Sequence, residues 1–207
     1  MTAAPELRAR LRQATSDIHE RLHGHPGLGA AASGVMARED YRQLLIRLWG
    51  FHKAFEIVLE TAVGSLRLDM DMAARARAPM LEEDLRSMGL SAGEIAALPR
   101  CDHIFRPRNG AEFFGALYVV EGSTLGGLHI ARALSGLFGG AEGEGRRFFL
   151  GYGSRHGAMW RGFLEQLDAF AGDEADELAV VAGAVRTFSD FETWMACWRA
   201  EAPGLAV

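Results

Sequence analysis

Two stretches of the chain carry residues whose types and spacing suit a ligand. In the first, Arg12, Thr15, His19 and His23 recur at three- and four-residue steps, which on a helix places them on one stripe beside an apolar face. A histidine there can present a neutral imidazole to a metal. Arg12 stands seven residues before His19, roughly 10 Å along the axis at about 1.5 Å per residue, and a guanidinium pairs well with carboxylates. The stripe therefore suits a flat ligand with a metal at its centre and acid groups on its edge. The competing reading is that His19 is a half-buried histidine packed against a neighbour. In the second stretch, Gly115, Gly122, Gly126 and Ala133 fall in a narrow helical sector flanked by Ser123 and Gly127. Three glycines inside the run 121–127 cost a helix about 3 kcal/mol relative to alanine. A surface that touches the backbone must compensate, either a planar ligand or a neighbouring helix.

The elements that must position these residues read as helices. Leu7, Leu11, Ala14, Ile18 and Leu22 give one apolar face to a helix from about Pro5 to His23, which His-Gly-His-Pro-Gly then ends. A second helix is predicted over Glu39–Val63, with Tyr41, Leu44, Leu45, Leu48, Phe51, Phe55 and Val58 inward, and a third over about Met70–Met88. Ser91 with Glu94, and Asn109 with Glu112, have the spacing of reciprocal caps. They open a short helix and a long one reaching about Leu137. A glycine-rich joint follows over 139–145, then helices over Ser154–Ala171 and Asp173–Trp198, the last capped by Asp173. No strand alternation, repeat or heptad run occurs. The expected architecture is all-α, one domain over residues 1–207, with six to eight helices in a bundle-like packing.

Hydrophobic residues make up 49% and charged residues 24% of the 207, enough for a substantial core. With 22 basic and 27 acidic residues, a net charge of -5 and no basic tract, nucleic acid is excluded as an expected partner. Cys101 and Cys197 are isolated thiols without CxxC spacing, which points to a reducing, cytoplasmic setting. The charged N-terminal stretch reads as no secretory signal. The most apolar stretch, Phe113–Leu134, contains Glu121, His129 and Arg132, so no membrane span is expected.

The segment Leu-Arg-Gln-Ala-Thr-Ser-Asp-Ile-His, residues 11–19, resembles the proximal-helix motif of the heme oxygenase family. Tyr-Val-Val-Glu-Gly-Ser-Thr-Leu-Gly-Gly, residues 118–127, resembles its distal helix, particularly in bacterial, phytochrome-associated members, and residues 187–192 resemble its closing helix. The resemblance covers most of the chain and rests on the pairing of two short motifs. It implies a heme oxygenase-like fold with His19 as the iron ligand. It also implies that heme lies against Gly122, Gly126 and Gly127, and that Arg12 meets a propionate. Gly122 and Ser123 would form the catalytic distal wall, and Thr15 belongs to the proximal motif. Tyr152, Arg146, Arg147 and Arg155 are further propionate candidates. The implied reaction opens heme to biliverdin, carbon monoxide and ferrous iron with O2 and an external reductant, so heme is both substrate and cofactor. An electron-donor protein and a bacterial phytochrome that accepts the bilin are the implied partners.

Two positions depart from the animal members of the family. Ser123 stands where an aspartate orders distal water, and His23 stands one turn after the proximal histidine, where a carboxylate is usual. Three rivals remain. A di-iron oxygenase needs paired Glu-xx-His motifs, and only Glu20–His23 has that spacing. A thiaminase-like enzyme needs a nucleophilic cysteine in an acid-base setting, which neither Cys101 nor Cys197 shows. A heme carrier would keep the pocket without turnover. His25, His52, His103, His129 and His156 lack ligand spacing and are expected to be structural or exposed, with His129 near the glycine stripe.

Overall fold

The computed structural model describes residues 3–138, 144–196 and 198, the side chains from residue 6 onward. Cys197 lies outside the described residues. Among those described, nine α-helices and no strand occur: α1 Ala3–His23, α2 Pro26–Ser33, α3 Arg38–Leu66, α4 Ala78–Ser87, α5 Ala92–Ala96, α6 Gly110–Ala133, α7 Arg147–Leu150, α8 His156–Phe170 and α9 Glu174–Ala196.

On α1 the buried face is Leu7, Leu11, Thr15, Ile18 and Leu22. Thr15 thus occupies the inward position expected for Ala14, which is exposed. Its hydroxyl donates to the Leu11 carbonyl at 2.7 Å, which satisfies a buried polar group within the helix. The chain does not stay irregular after His23. Pro26 restarts it as α2, His25 Nδ1 accepts from the Gly27 amide at 3.2 Å, and Gly34 ends it at φ 71°. This is the proline-first, glycine-last pattern of helix ends, carried by an alanine-glycine segment with too few large apolar residues to show a period.

The helix expected over Met70–Met88 begins later. Asp71 Oδ1 accepts from the Ala74 amide within a single 3₁₀ turn at Ala73–Arg75, and the α-helix starts only at Ala78 with Pro79 in its first turn. Proline disfavours helical backbone at the residue before it and lacks an N–H, so it opens this helix and does not sit inside it. The Ser91–Glu94 capping box forms in both directions. Asn109 caps α6 as expected, but Glu112 accepts from the Arg108 backbone and guanidinium in place of the Asn109 amide. After Ala133, α6 tightens into a 3₁₀ turn over Leu134–Phe138. Of the joint predicted over 139–145, residues 139–143 lie outside the described residues; the short helix α7 beyond it was not expected from the sequence. Asp173 caps α9.

Helix α6 runs through the middle of the molecule, against α9. A Cβ built on Gly115 would lie 1.9 Å from the Val180 carbonyl oxygen, and one on Gly183 would lie 2.3 Å from that of Glu112. The two backbones touch there because neither residue has a side chain. Helix α1 lies on α9, joined by Arg10–Glu177 and Arg21–Glu192 ion pairs. Two apolar clusters result, with Phe191 and Trp194 of α9 packed against both.

Candidate heme-binding site

Helices α1 and α6 both line one cavity of about 660 Å³, within the usual range of ligand pockets. From α1 come Arg12, Thr15, Ser16, His19, Glu20, Leu22 and His23, and from α6 Tyr118, Gly122, Ser123, Gly126 and His129. Phe51 and His52 of α3, Trp160 of α8 and Phe188 and Phe191 of α9 supply much of the remaining wall. The cavity is predominantly apolar with a few polar groups, as expected of a site for a flat ring.

The His19 imidazole packs edge-on against the Phe188 ring, with centroids 6.4 Å apart, and stands 4.5 Å from that of His23. Partial burial is the main cause that lowers its pKa, His23 adds to it, and Glu20 opposes. The shift favours the neutral form that a metal ligand requires. Along the same helix Arg8, Arg10 and Arg21 pair with Asp168, Glu177 and Glu192. Arg12 faces the cavity and has no ion pair among the described residues. A guanidinium so placed is available to an anionic group on a ligand.

The glycines of α6 divide into two kinds. A Cβ on Gly126 would meet nothing within 4 Å, and one on Gly122 would find only Trp160, at 3.9 Å. No protein surface uses these two, so helix packing does not account for them. Gly127 is different. A Cβ there would lie 2.5 Å from the Phe149 carbonyl oxygen, and the residue is buried outside the cavity wall. The fold thus places Gly127 outside the cavity lining: one residue beyond Gly126 is about 100° around the helix, which turns it to the protein side. Ser123 is on the wall, and its hydroxyl already donates to the Val120 carbonyl at 2.7 Å.

Tyr152 is likewise away from the cavity. It is buried, and its hydroxyl donates to Glu121 Oε1 at 2.7 Å. Arg146 is buried and donates to the Ala131 carbonyl, Arg147 pairs with Glu83, and Arg155 is exposed outside the wall. Of the basic propionate candidates, the fold therefore brings only Arg12 to the cavity. His52 was missed. It is 5% exposed, lines the cavity, and its Nδ1 has no hydrogen-bond partner. Burial and the nearby Arg77 charge push its pKa down to about 3, so it too is neutral. The sequence signal was its place next to Phe51 on the apolar face of α3. His129 lines the cavity, as its position near the glycine stripe suggested.

Among the described residues no group of three or more His, Cys, Asp or Glu is arranged to hold a metal ion. A di-iron centre thus finds no ligand set here. Cys101 is a buried free thiol whose pKa is raised chiefly by burial, contrary to what a nucleophile needs.

A family model described as Heme oxygenase matches residues 5–197. A heme oxygenase of Xanthomonas campestris pv. campestris (strain 8004) is 33% identical over 171 residues, covering 81% of this chain and 95% of the relative. The heme oxygenase structure from Leptospira interrogans matches with a TM-score of 0.75 at 16% identity, over 93% of this chain and 99% of that one. The NO- and CO-bound heme oxygenase from Neisseria meningitidis matches with a TM-score of 0.70 at 22% identity, over 95% and 94%. On the family match and the extent of the Xanthomonas likeness, the chain belongs to the heme oxygenase family.

Proposed function

We propose that this enzyme holds heme between α1 and α6 and opens its ring to biliverdin, carbon monoxide and ferrous iron, using O2 and electrons from an external reductant. The observation that carries the reading is that one cavity is lined both by the His19 imidazole, whose pKa burial lowers, and by Gly122 and Gly126, which no protein surface fills. Bound heme would supply both the ring that is cleaved and the iron that activates oxygen, so much of the hard chemistry is its own.

The protein's residues would bind and orient. His19 ligates the iron through a ring nitrogen. Arg12 would meet a propionate. Thr15, with its hydroxyl returned to Leu11, would line the α1 side of the ligand. From α6, Gly122, Ser123 and Gly126 would let the ring approach the backbone, and Phe51, Phe188 and Phe191 would exclude water. Neutral His52 contributes its ring to the cavity lining, with Nδ1 buried.

The resemblance further suggests a reductase or small electron-donor protein, and a bacterial phytochrome as acceptor of the bilin. The buried free thiol of Cys101 suits a cytoplasmic setting. No described helix is long and apolar enough to cross a membrane. We take residues 1–207 as one functional domain, since Phe191 and Trp194 tie both apolar clusters to the cavity helix α9.

The test is to add hemin and an electron donor under oxygen. Loss of the heme absorption with appearance of biliverdin and carbon monoxide is expected. Stable heme binding without loss of the absorption would identify a carrier.

A further inference from the structure

Behind α6, on the side away from the cavity, residues 144–152 form a strap along the helix. It meets α6 at three places. Arg146 Nη1 donates to the Ala131 carbonyl at 2.7 Å. The Phe149 carbonyl lies against Gly127, where a Cβ would be 2.5 Å away. Tyr152 donates its hydroxyl to Glu121 at 2.7 Å.

The strap is anchored in turn to the rest of the fold. Asp84, fully buried on α4, accepts from the Arg147 and Phe148 amides at 2.8 and 2.9 Å. Tyr41 donates to the Gly145 carbonyl at 2.6 Å, and Arg77 to that of Phe148 at 2.7 Å. Glu121 is 1% exposed and immediately precedes Gly122. Its other oxygen pairs with Arg75 at 3.0 Å.

Residues 122–127 of α6 contain three glycines, which weaken a helix and offer no side chains to pin it. The cavity side cannot hold this stretch, because that side must stay free for the ligand. It has to be held from behind. A buried carboxylate is fixed strongly by its donors, since losing one leaves a desolvated charge short of a partner. We propose that the strap is a brace that sets the distance of the α6 glycine wall from α1, with Tyr152 as a positioning residue acting through Glu121. This rests on the reading of the cavity as the heme site.

The experiment compares Tyr152→Phe with Ile95→Ala, a substitution in α5, which packs on α4, chosen to report a general loss of stability. Amide exchange in the heme-free protein is expected to quicken about fivefold or more at residues 123–127 in Tyr152→Phe. Residues 113–117, held against α9, should change by less than about twofold. With hemin added, the high- to low-spin balance of the ferric spectrum should shift in Tyr152→Phe and stay at the wild-type value in Ile95→Ala. Uniform quickening along α6, or a pattern and spectrum matching Ile95→Ala, would make Tyr152 merely structural and overturn the proposal. Because exchange is read without heme, failure of the wild type to bind hemin would sink the heme reading alone and leave the brace to be judged by exchange.

Discussion

Ser123 and His52 show how side chains on one wall differ in what they have left to offer. The Ser123 hydroxyl spends its proton on Val120, whereas His52 has an unpartnered buried nitrogen. Ser123→Ala is therefore expected to slow biliverdin formation by less than about tenfold, under about 1.4 kcal/mol of barrier; steady-state kinetics with intact heme binding checks this. A total loss of turnover would make the hydroxyl indispensable. At this scale the sequence was legible where a residue's helical face fixes its surroundings, as for His19, Arg12, Gly122 and Gly126. It was not where a long-range partner decides. Tyr152 went to Glu121 thirty-one residues away, and Arg147 to Glu83, contacts that no local pattern announces.

The glycine helix separates packing from binding within a single element. Gly126→Ala adds a methyl to open space, so the heme-free protein should gain up to about 1 kcal/mol while hemin affinity falls. Gly127→Ala drives a methyl into the Phe149 carbonyl and should lower the melting temperature of the heme-free protein. Thermal melts and hemin titrations of the pair decide it. A Gly126→Ala variant that is destabilised but binds hemin normally would return that glycine to helix packing. Long helices with an apolar period, such as α3, or an explicit cap, such as α6 and α9, could be read from the sequence to within a few residues. The short helices α2 and α7 could not, because an Ala-Gly run and a four-residue turn carry no period. Their positions are set instead by His25 reaching the Met195 and Trp198 carbonyls and by Asp84 reaching two amides.

Across the whole molecule, the buried neutral groups should leave a mark on acid stability. The folded pKa of His52 is about 3, below its ordinary value of 6.5. Between those values the unfolded chain binds more protons than the folded one, so this group's contribution falls as pH drops through that window. Asp84 works in the opposite sense. Its folded pKa is raised from 3.8 to about 6, so the folded state binds more protons there and stability falls as pH rises from about 4 to about 6. The difference in urea midpoint between wild type and His52→Phe, measured without heme, should shift steadily against the wild type as pH falls from about 6.5 towards 3. A pH-independent difference would mean that His52 is not held neutral. The all-α architecture was legible at this scale because periods and caps recur along the chain. The close approach of α6 to α9 at Gly115 and Gly183 was not, since each glycine's reason lies on the other helix.

The assignment of the iron ligand ties these scales together, and His23 is its natural competitor, with its ring 4.5 Å from that of His19 on the same cavity wall. The decisive measurement is the ferric and ferrous spectra and biliverdin yield of hemin-loaded His19→Ala beside His23→Ala. His19→Ala should keep the fold, because its side chain borders the cavity and opens no void in the core. It should lose the axial imidazole signature and turnover, with partial recovery on adding imidazole, while His23→Ala keeps both. An unchanged His19→Ala spectrum alongside a disrupted one for His23→Ala would move the ligand to His23 and contradict the proposed site at its central residue.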